Sequence, residues 1–199
     1  MIFGSIALIV GSFIMVSKKG DKTHKLLGKI FSISILFAGV CSFVLATLHK
    51  NEFLFAVGVF TIYMVTTGWR FLSLKNIQTG QKIEKIDWLI FCFMILGSIS
   101  FIFLGIKNIY NKENFGIVML LFSVGSILFL IQDYKTYNGK IKSKNYWLLL
   151  HLQRMTGAYI ASLTAFLVVN FQNRLSFLPW LLPTIIFVPL IIKWTRKYF

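Results

Sequence analysis

Five residues of this 199-residue chain combine a reactive side chain with an apolar setting: His24, Arg70, Asp133, His151 and Arg154. His151 and Arg154 stand at i and i+3 in the stretch YWLLLHLQRMTGAYIASLTAFLVVN, so on a helix they share a face, with Gln153 beside them. Arg70 follows Trp69 in MVTTGWRFLSLK, Asp133 ends LIQD, and His24 lies in KKGDKTHKLLGKIF. Ionisable groups are costly in hydrocarbon, and those that persist there mark ion pairs, solute paths or ligand sites. Three chemistries use such a set. Two imidazoles on different helices, His24 and His151, are what a b-type haem needs as axial ligands, with Arg70, Arg154 and nearby lysines for its propionates. His151 belongs to the one residue type that titrates near neutral pH. With Arg70 and Arg154 it would suit an anionic solute or lipid headgroup, as in a small anion- or proton-coupled transporter. His24, His151 and Asp133 would be the three protein ligands of a catalytic zinc.

A structural use competes with all three. Asp133, read as the only acidic residue close to an apolar block, is the expected partner of Arg70 or Arg154, and a buried pair of that kind can simply hold helices in register. Arginines near helix ends also snorkel to the interface. His49 is excluded from any site with His24, since about 25 residues of helix separate them by roughly 37 Å. No Walker A, GxSxG, HExxH or Rossmann glycine pattern is present, and no catalytic residue is assigned.

The elements that must position these residues follow from composition. The chain is 57% hydrophobic, 17% aromatic and only 14% charged, with a mean hydropathy of +0.76. Soluble domains carry about 25% charged residues, so this chain reads as an integral membrane protein without a sizeable soluble domain. Seven apolar blocks (2–16, 28–48, 53–74, 88–106, 115–131, 146–171 and 178–192) approach the roughly 20 residues that span a bilayer. They are continuous rather than alternating, which excludes barrel strands. The expected fold is all-α: one bundle of seven transmembrane helices over residues 1–199. The opening block reads as a retained first span, with no basic residues ahead of it and no small-x-small cleavage site before Lys18.

The net charge of +15 could suggest nucleic-acid binding, but the basic residues sit between apolar blocks, where they set topology. Segments 17–29, 70–87, 134–145 and 193–199 carry sixteen Lys and Arg, against four (Lys50, Lys107, Lys112 and Arg174) in the opposite loops. That bias places the first set in the cytoplasm, the N-terminus outside and the C-terminus inside. All five residues of the cluster then lie near the cytoplasmic end. Trp69, Trp88, Trp147, Trp180 and Trp194 fall near block ends, where aromatic belts anchor. Gly157, Ala158, Ala161, Ser162 and Ala165 form a small-residue strip that turns His151 and Arg154 toward other helices. Pro183 and Pro189 are expected to bend the last helix, and Cys41 and Cys92 to serve as small buried hydrophobes. No internal repeat of the inverted transporter kind is visible. The expected partners are the lipid bilayer and another membrane protein or a second copy of the chain.

At KKGDKTHKLLGKIF and HLQRMTGAYIASLTAFLVVN the chain resembles a family of uncharacterised bacterial polytopic membrane proteins, catalogued as domain of unknown function 2306. The likeness is carried by a Gly-rich opening span, GSIALIVGSF, running into a Lys-Lys-Gly turn and a His; by TGWR at the end of the third block; and by His-x-x-Arg followed by a small-residue helix and FLVVN. It covers nearly the whole chain. It implies a multi-pass protein of the bacterial inner membrane, with His24, Trp69, Arg70, His151, Arg154 and Asn170 as motif positions, and it brings no established activity. Family members often carry a polar residue, commonly His, at the start of the first span. Here that position falls at or before Met1.

Overall fold

Each apolar block forms a helix, and most helices run beyond the block that announced them. The computed structural model describes residues 2–141, 143–175 and 178–198, and of 172–175, 197 and 198 the backbone only. Lys142, counted above among the basic loop residues, lies outside the described residues, as do the side chains of Arg174 and Lys197. The helices are α1 (Ile2–Val16), α2 (Lys22–His49), α3 (Glu52–Ser73), α4 (Lys85–Tyr110), α5 (Phe115–Tyr137), α6 (Tyr146–Leu175) and α7 (Leu178–Tyr198), with a short 3-10 turn at Ile77–Thr79. No strand occurs among the described residues.

The extensions have local causes. α2 begins six residues before its apolar block because the Asp21 side chain caps it, accepting from the His24 backbone N–H at 2.7 Å. His24 is therefore helical rather than part of a loop. α3 starts where Asn51 accepts from the Leu54 N–H at 3.0 Å. α4 starts with a reciprocal cap in which Glu84 and Asp87 each accept from the other's end of the first turn. α7 continues as a helix through both Pro183 and Pro189.

Six of the helices are long and apolar enough to cross a membrane; α1, at 15 residues, is shorter than a full span. Large apolar side chains such as Phe13, Leu96, Phe103, Leu121 and Ile185 are exposed around the bundle, a surface that suits lipid rather than water. Cys41 and Cys92 are exposed on that surface, against the expectation of burial. Their blocks have a lipid side, and both thiols fall on it.

α3 is the hub. It packs on α2, α4, α5 and α6, and it contributes Val59, Phe60, Tyr63, Met64 and Val65 to the core. α2 approaches α3 closely at Gly58, where a Cβ would stand 2.9 Å from the Phe43 backbone N. The small strip of α6 does face its neighbour: a Cβ on Gly157 would stand 2.9 Å from Met64 Sδ of α3. α4 and α5 form a tight hairpin at Gly105 and Gly116.

Candidate functional site

The five polar residues lie at the lysine-rich end of the bundle but separate into three arrangements. The first is a buried triad. Arg154 Nη2 meets Asp133 Oδ1 at 2.5 Å, with both side chains fully buried, and the Tyr63 hydroxyl donates to the other Asp133 oxygen. Asp133 thus takes Arg154, one of its two expected partners. The guanidinium carbon is 3.9 Å from the centre of the Phe129 ring, 5.5 Å from Tyr63 and 6.0 Å from Phe71. Arg154 Nε and Nη1 have no hydrogen-bond acceptor among the described residues. The ring faces around them supply the compensation, about 2 kcal/mol for a desolvated cation–π contact. Gln153 holds the same helix pair one step away, sharing a 3.1 Å hydrogen bond with Gln132. This is an ion pair in an aromatic cage that joins α3, α5 and α6.

Arg70 forms the second arrangement. It makes a two-pronged pair with Asp87, at 2.7 and 2.9 Å, and reaches Glu84 at 3.1 Å. Asp133 is therefore not the only acidic residue near a span. Asp87 sits in the first turn of α4, fully buried, because α4 starts at Lys85 rather than Trp88. The sequence does carry the signal: Glu84 and Asp87 ahead of an apolar run form a capping pattern. Arg70 is thereby committed to the α3–α4 contact.

The third arrangement is a cavity of about 710 Å³ at the lysine-rich end, walled by α1, α2, α3, α6 and α7. His24 and His151 line it, and Arg70, Asp133 and Arg154 do not. Lys19, Lys25, Lys29 and Lys75 are on its walls, with Trp69, Trp147 and Trp194. Its apolar part is made by Ile14, Met15, Phe31, Leu152 and Met155. No Asp or Glu lines it among the described residues.

Local structure sets these walls. Gly20, at φ 87°, turns the chain between α1 and α2. The turn lets Lys19 fold back on the end of α1, where its ammonium donates to the carbonyls of Met15, at 2.9 Å, and Ile14. The same ammonium lies 4.9 Å from the Trp194 ring centre, and burial pulls its pKa below the ordinary lysine value. Lys75 sits 4.6 Å over the Trp147 ring. His24, Gly28 and Ser32 recur every four residues on one face of α2, and a Cβ on Gly28 would meet nothing within 4 Å. α2 meets α6 where Ser32 Oγ contacts Met155 Sδ at 3.7 Å. The inner end is closed by α1 against α6. A Cβ on Gly11 would be 2.4 Å from the Tyr159 ring, whose hydroxyl shares a 2.7 Å hydrogen bond with Ser12.

The two imidazoles are differently held. His151 Nδ1 is 2.8 Å from the Gly68 carbonyl oxygen. A carbonyl only accepts, so Nδ1 carries the proton and donates. In the neutral ring, Nε2 then keeps its lone pair. His24 Nδ1 is buried without a hydrogen-bond partner among the described residues.

One sequence expectation fails here. The zinc set of His24, His151 and Asp133 does not converge, because Asp133 is consumed by Tyr63 and Arg154; no metal-competent His, Cys, Asp and Glu group occurs among the described residues. Asn170, a motif position of the resemblance, lies away from the cluster. It lies about 28 Å along α6 from His151, is exposed, and bonds the Phe166 carbonyl at 2.7 Å. The tryptophans of the cavity were legible only as interfacial anchors, and its lysines as topology signals and unspecified propionate partners. Comparison with protein-family models, with curated proteins and with solved structures gives no match.

Proposed function

We propose that the protein binds an amphipathic anion in the cavity between α1, α2, α3, α6 and α7. The observation that carries this reading is the lining itself: lysines and imidazoles beside an apolar interior, with no carboxylate among the described lining residues. An anionic head would be matched by Lys25, Lys29 and Lys75, and an apolar body by Met15, Phe31 and Met155. The size falls in the range of small-molecule sites, about 300–1,000 Å³. The closed inner end at Gly11, Ser12 and Tyr159 favours a one-sided pocket over a transport conduit.

In this reading the chain is a seven-span protein of the bacterial cytoplasmic membrane, N-terminus outside, with the cavity facing the cytoplasmic leaflet. The lysine bias of the loops supports that placement. Anionic lipid on that leaflet would attract the lysine-rich end of the bundle, at about 1 kcal/mol per basic residue near the surface.

The test is ligand-dependent stability in neutral detergent. Dodecyl phosphate should raise Tm and dodecyl maltoside in equal excess should not. Lys25→Gln with Lys29→Gln and Lys75→Gln should remove most of the rise. Equal stabilisation by the neutral amphiphile would overturn the reading.

A further inference from the structure

The cavity holds more than a basic mouth needs. An anionic headgroup is served by lysines alone, yet two imidazoles, His24 and His151, are built into the same walls, and the His151 Nε2 keeps its lone pair. A bare imidazole nitrogen repels an anion's oxygen and attracts a Lewis acid. Donation of Nδ1–H to a backbone carbonyl, as His151 does to Gly68, is the arrangement that orients a metal-binding imidazole and raises its basicity. His24 supplies a second imidazole from a different helix, and its buried Nδ1 is held by no hydrogen bond among the described residues. The space between α2 and α6 is open on the α2 side. Gly28, one turn beyond His24, presents no side chain to it, while Trp147 and Met155 stand one turn to either side of His151.

We propose that the amphipathic anion is haem b, with its iron held by His24 and His151 and its two propionates among Lys25, Lys29 and Lys75. This rests on the amphipathic-anion reading above and names its ligand. A haem is itself an amphipathic dianion whose centre is a Lewis acid, so it matches lysines, apolar wall and imidazoles together. Bound, it would supply one-electron redox chemistry. The protein's own part is to orient His151 through Gly68, to hold the ring between α2 and α6, and to neutralise the propionates.

Haemin titrated into the full-length apoprotein in detergent tests this by visible absorption and electron paramagnetic resonance. Stoichiometric uptake with a six-coordinate low-spin spectrum is expected. His24→Ala and His151→Ala should each convert it to high spin and weaken binding by about tenfold or more. His151→Gly should regain the low-spin spectrum when free imidazole is added, which separates lost ligation from lost folding. Lys25→Gln with Lys29→Gln should weaken uptake while leaving the spectrum low-spin. A low-spin spectrum that survives both histidine substitutions would overturn the assignment. If dodecyl phosphate binds and haemin does not, the haem assignment falls and the anion site stands. If neither binds, both fall.

Discussion

Asp133→Ala would leave the Arg154 guanidinium fully buried, with its one carboxylate gone and the Tyr63 hydroxyl stripped of its acceptor. Removing one half of a buried ion pair costs about 3–5 kcal/mol. For a chain of this size each kcal/mol moves Tm by about 2–4 °C, so the variant should unfold about 6–20 °C lower. The informative comparison is the apolar replacement of the whole triad: Asp133→Leu with Arg154→Met and Tyr63→Phe. Exchanging a complete buried pair for hydrophobes of similar volume is often neutral or stabilising by about 1–4 kcal/mol. Part of that gain is offset here by the Phe129 contact at 3.9 Å, about 2 kcal/mol for a desolvated cation–π pair. The triple variant should therefore recover most of the loss and keep dodecyl phosphate affinity unchanged. Thermal unfolding in detergent, followed by circular dichroism, reads the first quantity, and isothermal titration the second. A triple variant as unstable as Asp133→Ala would refute the structural account of the triad. A stable triple variant that no longer binds would place the triad in the site.

Three further outcomes follow from the same geometry. Asp87→Asn weakens the two-pronged Arg70 pair and the α4 cap together, and should cost about 1–3 kcal/mol, read as a Tm loss without change in cavity binding. Gly116→Ala should destabilise by about 1–3 kcal/mol, since its Cβ would lie 2.6 Å from the Gly105 carbonyl oxygen; Gly28→Leu, entering open space, should leave Tm unchanged or higher and abolish ligand binding, which a titration of each variant would separate. A cysteine placed at Lys140 in a Cys41→Ser, Cys92→Ser background should react with an impermeant maleimide only from the cytoplasmic side, and one at Lys112 only from outside, with the reverse pattern overturning the proposed orientation.

Much of the architecture was legible in the chain because hydrocarbon imposes a simple demand. Every backbone polar group must be satisfied within the segment, so a continuous apolar run of sufficient length becomes a helix. The helix ends were less legible. Apolarity marks where lipid begins, whereas capping by Asp21 and by Glu84 with Asp87 decides where the helix begins. That difference moved His24 onto α2 and Asp87 under Arg70.

By itself the sequence determined an all-helical apolar chain, its lysine-rich end, the inward turn of α6 through Gly157, and the shortage of acids that made an Asp133 pair with an arginine expected. Only the tertiary structure decided which polar residues share a space. Arg154 and Asp133 were drawn into an aromatic cage, Arg70 was taken by Asp87, and His24 and His151 were left facing one cavity with Lys19, Lys25, Lys29 and Lys75. The physical reason is that depth along a helix follows from counting residues, while the partner of a side chain depends on the rotation of its helix and on which neighbours lie across from it. Those are set by close contacts such as Gly58 on α2 and Gly11 on Tyr159, whose two sides are far apart in the chain and carry no shared local pattern.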